Sequence, residues 1–246
     1  MRSAAEPTTA ATGRLLDPLD QVDYRLAQTA EEKEAIYRLR YRAYLREGAI
    51  QPSAEQRVVD QFEDAPNAWT FGVYFHGELY SSIRISVLTS EWRMSPSVEL
   101  FGDVLHPKLD QGLVFIDSTR FVADPDKARN FPELPYVTVR LGSTAGVHFN
   151  ADYGLAIVRP EHMAFYRRMF LHETWSEPRL YPGLVKPVGL MAAHLPTVRE
   201  KVLVRYPFLR SSAFERRMLF QGADERQSSP DGVVTSFEPA SIVPNS

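Results

Sequence analysis

Cysteine occurs nowhere in the 246 residues, which excludes disulfides, thiolate metal sites and a cysteine nucleophile together and suits a reducing compartment. No apolar run reaches the length needed to span a bilayer. The stretch from Met1 to Leu16 holds Arg2, Glu6 and Arg14 among alanines and threonines, without the apolar centre of a signal peptide, so a cytoplasmic location is expected. Positive charge is not in excess either: the formal net charge is -3 and the pI near 6.1. Nucleic acid, which calls for clustered Lys and Arg to displace counterions, is therefore not expected as a partner. Also missing are a Walker loop, G-x-G-x-x-G, a G-x-S-x-G elbow and H-E-x-x-H, so nucleotide hydrolysis, dinucleotide redox, serine hydrolysis and zincin chemistry lose their usual signatures. The six histidines show no metal-ligand spacing, and no metal is expected.

What remains is 44% hydrophobic with 11% aromatic residues, enough for a substantial core. Residues 1–21 and 222–246 are rich in Ala, Thr, Ser, Pro and Asp and read as tails, leaving a single domain over 22–221. Within it, Val22, Tyr24 and Leu26 alternate with charged residues as in a half-buried strand, and Thr29 with Glu32 makes a capping box for a helix that stops at Gly48. Arg40 falls on the inward stripe of that helix, beside Ile36, Ala43 and Tyr44. Phe71 to Phe75 and Leu79 to Val87 alternate on either side of His76-Gly77, which predicts an antiparallel hairpin. In the strand Val114 to Val122, alternation places Phe115, Asp117, Thr119 and Phe121 on one face. A carboxylate set among apolar residues needs a cation or a raised pKa, which singles out Asp117. Further on the pattern predicts a helix over Tyr136 to Asn150, a strand Gly154 to Val158, a helix opened by Pro160, a strand Val188 to His194 and a helix Val198 to Val204 capped by Thr197 and Glu200. This order implies an α/β fold, a mixed sheet with helices on both faces.

Four segments, in order, resemble motifs of the acyl-homoserine-lactone synthases and their relatives, the N-acyl amino acid synthases: Arg40 with Tyr44, Asp60 with Glu63, Ser82-Ile-Arg84, and Asp117-Ser-Thr119-Arg120-Phe121. Val98-Glu-Leu-Phe101 is similar to a linking segment of the N-acyl amino acid branch, and the resemblance spans about Tyr24 to Val122. It implies a GNAT-like fold, with a mostly antiparallel central sheet, and an N-acyltransferase that moves a long acyl chain from a carrier-protein thioester to a small amine. The lactone synthases carry a tryptophan after the helix-one aromatic, whereas Leu45 to Ile50 has none, and their strand glutamate and serine are Asp117 and Thr119 here. These departures favour an amino acid or another small amine over S-adenosylmethionine as the acceptor.

On that resemblance Asp117 is the candidate general base, with Thr119 beside it, and Tyr166 the candidate acid for the departing thiolate. Arg40, Tyr44, Asp60, Glu63, Arg84, Arg120 and Phe121 form the expected acceptor-binding network. No permanently bound cofactor is implied; the donor is acyl-ACP or acyl-CoA, and acyl carrier protein is the expected partner. Arg129, Arg140, Arg159, Arg167 and Arg168 are expected to rim its landing surface, and Phe115, Phe121, Phe149, Phe165 and Met169 to line a tunnel. Two alternatives are a lactone synthase using S-adenosylmethionine and a non-catalytic lipid or carrier-binding module on the same fold.

Overall fold

The computed structural model describes residues 19–220, so nearly all of the two expected tails lies outside the described residues. Among the described residues, seven strands form one sheet in the order β1-β2-β3-β4-β5-β7-β6. Strand β1 (Val22–Leu26) pairs antiparallel with β2 (Ala68–Phe75), β2 with β3 (Glu78–Leu88), and β3 with β4 (Phe115–Ala123). The hairpin turn is His76-Gly77, both with positive φ (50° and 82°), the conformation whose twist matches a two-residue β-hairpin. Strand β5 (Tyr153–Val158) runs parallel to β4, and β7 (Val188–His194) lies between β5 and the edge strand β6 (Glu173–Arg179).

Helix α1 (Ala30–Arg46) opens with the expected capping box: the Thr29 hydroxyl accepts from the Glu32 amide at 3.2 Å, and the Glu32 carboxylate accepts from the Thr29 amide at 3.0 Å. It ends before Gly48, whose φ of 61° is left-handed. Helix α3 (Leu134–His148) packs on one face of the sheet through Leu134, Val137 and Leu141, against Phe71, Ile85 and Ile116. On the other face α1 packs Leu39 and Ala43 on Val122. Helix α2 (Pro96–Leu109) packs Val98, Phe101 and Leu105 on Phe115, Leu155 and Leu190. Helices α4 (Met163–Phe170), α5 (Leu195–Arg205) and α6 (Ala213–Leu219) complete the fold.

Four elements depart from the sequence reading. The segment read as a link is part of α2, whose signal is broken by Gly102 beside a non-helical Phe101 (φ −125°) and by Pro107 in the interior. Strand β6 shows no alternation and carries Pro178, as befits an exposed edge. Helix α6 is capped by Ser212, which accepts from the Glu215 amide at 3.0 Å. Thr197 does not cap α5, which begins two residues earlier with His194 at its N-cap; the Thr197 hydroxyl instead bonds His194 Nδ1 at 2.6 Å.

Candidate active site

Strands β4 and β5 pair only over Phe115–Ser118 and Tyr153–Ala156. Beyond Ser118 they diverge, because β4 bulges: Thr119 lies opposite Arg84 and Val122 opposite Ser82, so β4 carries one residue more than β3 across that interval. Arg120 takes up the extra length with φ 54°, a left-handed conformation uncommon for a side-chain-bearing residue. The bulge also reverses alternation. Phe121 therefore packs toward the α3 side with Ile116, not on the face of Phe115 and Asp117 as strict alternation predicts.

The divergence opens a cleft with about 690 Å³ of free volume, bordered by Tyr44, Thr119, Arg120, Phe121 and Tyr166 among the residues expected at the site. Behind its Arg120 wall sits an ion network. Arg84, fully buried in mid-strand, gives Nη1 and Nη2 to the two oxygens of Asp60 at 2.6 and 2.9 Å. It also bonds Glu63 at 3.1 Å and the Thr119 hydroxyl at 3.3 Å. Arg40, also fully buried, pairs with Glu63. Arg120 gives Nε and Nη2 to Asp60 Oδ2 at 2.8 and 2.6 Å. Thus Arg40 does not snorkel to solvent, and all five charged members of the network meet. Burial works against ionised Asp60, yet the bonds from Arg84 and the charge of Arg120 hold its pKa well below the usual carboxylate range. The Tyr44 and Tyr181 rings lie 6.0 and 5.7 Å from the Arg120 guanidinium. Arg120 and Tyr181 border a second, more open recess on their far side, which Asp60, Gln61 and Glu99 also line. There Glu99 accepts from Tyr181 at 2.8 Å and from Gln61 at 3.2 Å.

Asp117 lies elsewhere. It is fully buried beneath the start of α2, where its Oδ1 accepts from the Ser97 hydroxyl at 2.7 Å, and it borders neither space. Burial raises its pKa against the opposing bonds of Ser97 and Ser95 and the Arg84 charge, and Oδ2 has no hydrogen-bond partner.

A third space, a mainly apolar chamber with about 70 Å³ of free volume, lies between α3, β5 and α5. Ser118 and Tyr166 border both this chamber and the cleft, so two hydroxyls stand at the boundary between them. Helix α3 crosses closely over Ser118: a Cβ on Gly142 would meet the Ser118 oxygen at 2.6 Å. Ser118 escapes a sequence reading because only the point where β4 and β5 part gives it importance. Of the expected tunnel residues, Phe121 and Phe165 line the cleft, whereas Phe115, Phe149 and Met169 line neither cleft nor chamber. Arg140 is no part of an entrance: it is buried and bound to Glu215 and to the carbonyls of Phe208 and Arg210 at 2.8 and 2.6 Å. Arg159 borders the cleft but pairs with Glu47. Among the described residues no cluster of acids and histidines could hold a metal ion, and no helix is long and apolar enough to cross a membrane.

A search by sequence against curated proteins gives no significant match. Among solved structures, FeeM, an N-acyl amino acid synthase from uncultured soil microbes, is 18% identical, with 75% of this chain and 98% of FeeM covered at a TM-score of 0.64. The CoA-dependent acyl-homoserine lactone synthase BjaI gives 13% identity, 77% and 89% coverage and a TM-score of 0.54. The lactone synthase LasI gives 14%, 70% and 87%, and 0.51. At these identities the likeness is one of fold, the acyl-CoA N-acyltransferase fold. The family model of N-acyl amino acid synthase FeeM matches residues 35–194, a span that contains every site residue described above. The chain belongs to the FeeM N-acyl amino acid synthase family and is an acyltransferase.

Proposed function

We propose that the protein transfers a long acyl chain from an acyl carrier protein thioester to the amine of an amino acid. The observation that carries this reading is the cleft opened where β4 and β5 part, with an apolar chamber beside it across Ser118 and Tyr166. An acyl thioester has the same layout, a polar carrier arm, a reacting carbonyl and an apolar chain. With the acyl chain entering from the cleft toward the apolar chamber, the carbonyl lies beside Ser118 and Tyr166. The acceptor's nitrogen attacks it, the C–N bond forms as the C–S bond breaks, the amine loses a proton and the departing thiolate takes one up.

Tyr166 is the proton donor to the thiolate: burial raises its pKa, so it stays protonated until a strongly basic group appears beside it. An N–H of β4 freed beyond Ser118 is placed to bind the developing oxyanion. Asp117 is the proton acceptor. Since its carboxyl does not border the cleft, the proton reaches it through water or the Thr119 hydroxyl two residues along, and its raised pKa improves it as a base. Arg120, the cation bordering both cleft and recess, receives the acceptor's carboxylate, with Tyr44 and Phe121 beside it in the cleft. Arg40, Arg84, Asp60 and Glu63 fix its position from behind.

The donor assignment rests on the connection from β4 to α3. Asp124 to Glu133 contains no glycine, Glu133 stands at the N-cap of α3 and Pro135 removes an amide from its first turn. A helix start with a carboxylate and one fewer N–H is a poor cradle for the pyrophosphate of coenzyme A, whereas a carrier protein's pantetheine arm brings a single phosphate and no such demand. Mass spectrometry of organic extracts from cells expressing the protein tests the reading: new fatty acyl amides of amino acids are expected, and their absence while the protein accumulates in soluble form would count against it.

A further inference from the structure

Helix α5 turns Val198 and Val202 inward, onto Tyr206, Phe208 and Leu209. Its outer stripe, spaced by three and four residues, is Lys201, Val204 and Arg205, and Val204 is 65% exposed. Helix α6 repeats the pattern. Glu215 and Leu219 face inward, to Arg140 and the core, whereas Phe214, Arg217 and Met218 share the outer stripe, with Phe214 66% and Met218 52% exposed. The junction between the two helices is fixed by Arg140, which bonds the carbonyls of Phe208 and Arg210 and pairs with Glu215. The Arg210 residue at that junction is itself exposed. From 199 to 217 the chain carries six cations against two acids, Glu200 and Glu215, although its net charge as a whole is -3. Glu215 is taken by Arg140, and among the described residues Lys201, Arg205, Arg210 and Arg217 pair with no carboxylate. Large apolar side chains left in water among unpaired cations mark a surface that something else covers.

We infer that the outer face of α5 and α6 binds a membrane surface bearing anionic headgroups. The cations meet lipid phosphates, and Val204, Phe214 and Met218 enter the boundary where the acyl chains begin. Charge complementarity selects this occupant, because the local excess of positive charge lies in a chain that is otherwise acidic. An anionic bilayer also takes bulky apolar side chains on the same face without needing a matched partner shape. Neither half suffices alone: three apolar side chains give weak attachment to a neutral bilayer, and cations alone are screened by salt. None of the outer-stripe residues borders the cleft or the recess, so the inference stands apart from the transfer reading.

The test sediments the full chain with vesicles of phosphatidylcholine and with vesicles of phosphatidylcholine mixed with an equal part of phosphatidylglycerol. Partitioning onto the mixed vesicles is expected to exceed that onto the neutral ones by about tenfold or more and to fall as salt is added. The triple variant Arg205→Gln, Arg210→Gln, Arg217→Gln is expected to lose that excess. The double variant Phe214→Ser, Met218→Ser is expected to bind mixed vesicles severalfold more weakly, and both variants to melt like the parent, since the altered side chains are exposed. An unaltered protein that stays in the supernatant, or binding that survives in both variants, overturns the inference. Turnover of an acyl carrier protein donor without vesicles separates the rival occupant. If the triple variant loses that turnover while the unaltered protein ignores vesicles, the face belongs to the acidic carrier protein and the membrane inference fails.

Discussion

Asp117 and His172 are both buried titratable groups, and each makes a distinct prediction. For Asp117, burial disfavours the carboxylate, so Asp117→Asn removes a charge the fold resists and is expected to melt at the same temperature or higher. Turnover is expected to fall roughly a hundredfold to ten-thousandfold and to recover partly at high pH, where more of the amine arrives deprotonated. Parent-like turnover in the folded variant would remove Asp117 from the reaction. For His172, whose buried ring bonds the Gly154 backbone, the folded pKa of about 4 lies below the ordinary histidine value of 6.5, so the unfolded chain takes the proton first as pH falls. The stability this confers is whole above pH 6.5 and lost between 6.5 and 4, an effect on the order of 3 kcal/mol. Denaturant titrations at a series of pH values are expected to show His172→Phe losing less stability across that window than the parent. Parallel curves would contradict the buried neutral ring. Asp117 was legible in the sequence, as the lone acid among apolar neighbours. Its distance from the cleft was not, because alternation tells which face a residue takes and not what covers that face; the cover is α2, hidden by Gly102 and Pro107. His172 carried no local signal, since its meaning depends on Gly154 in a neighbouring strand.

Among the elements, β4 decides the site. Up to Ser118 it is an ordinary strand held between β3 and β5; the bulge at Arg120 then frees it from β5, opens the cleft and turns Arg120 onto Asp60. The family resemblance implied which charged residues belong together, and the structure brings Arg40, Asp60, Glu63, Arg84 and Arg120 into one network. The bulge itself has no glycine to announce it, and so Phe121 was assigned to the wrong face. Removing one member tests whether the network supports the element: Arg84→Ala leaves Asp60 and Glu63 short of a buried partner and is expected to cost about 3 to 5 kcal/mol or abolish soluble expression. A variant that melts like the parent would contradict this. Gly142→Ala tests the boundary at Ser118. The added methyl meets Ser118 Oγ at 2.6 Å, and α3 or β4 must shift. KM for long acyl donors is expected to rise severalfold more than stability loss explains, whereas unchanged kinetics would place the acyl chain elsewhere.

For the molecule as a whole, most of the succession of strands and helices along the chain, and the packing of helices on both faces, were readable from periodicity and caps, because those signals are local and the core is apolar. The placement of β7 between β5 and β6 was not readable, since strand pairing is a long-range property and β6 is too exposed to alternate. The central claim joins the cleft, the chamber and the glycine-free start of α3 in one activity. Its most direct test gives the purified protein one acyl chain on acyl carrier protein and, separately, on coenzyme A, with the common amino acids and S-adenosylmethionine each offered as acceptor. An N-acyl amino acid formed faster from the carrier protein than from coenzyme A is expected. Equal or faster use of acyl-CoA, a lactone formed only with S-adenosylmethionine, or no amide from either donor would contradict it.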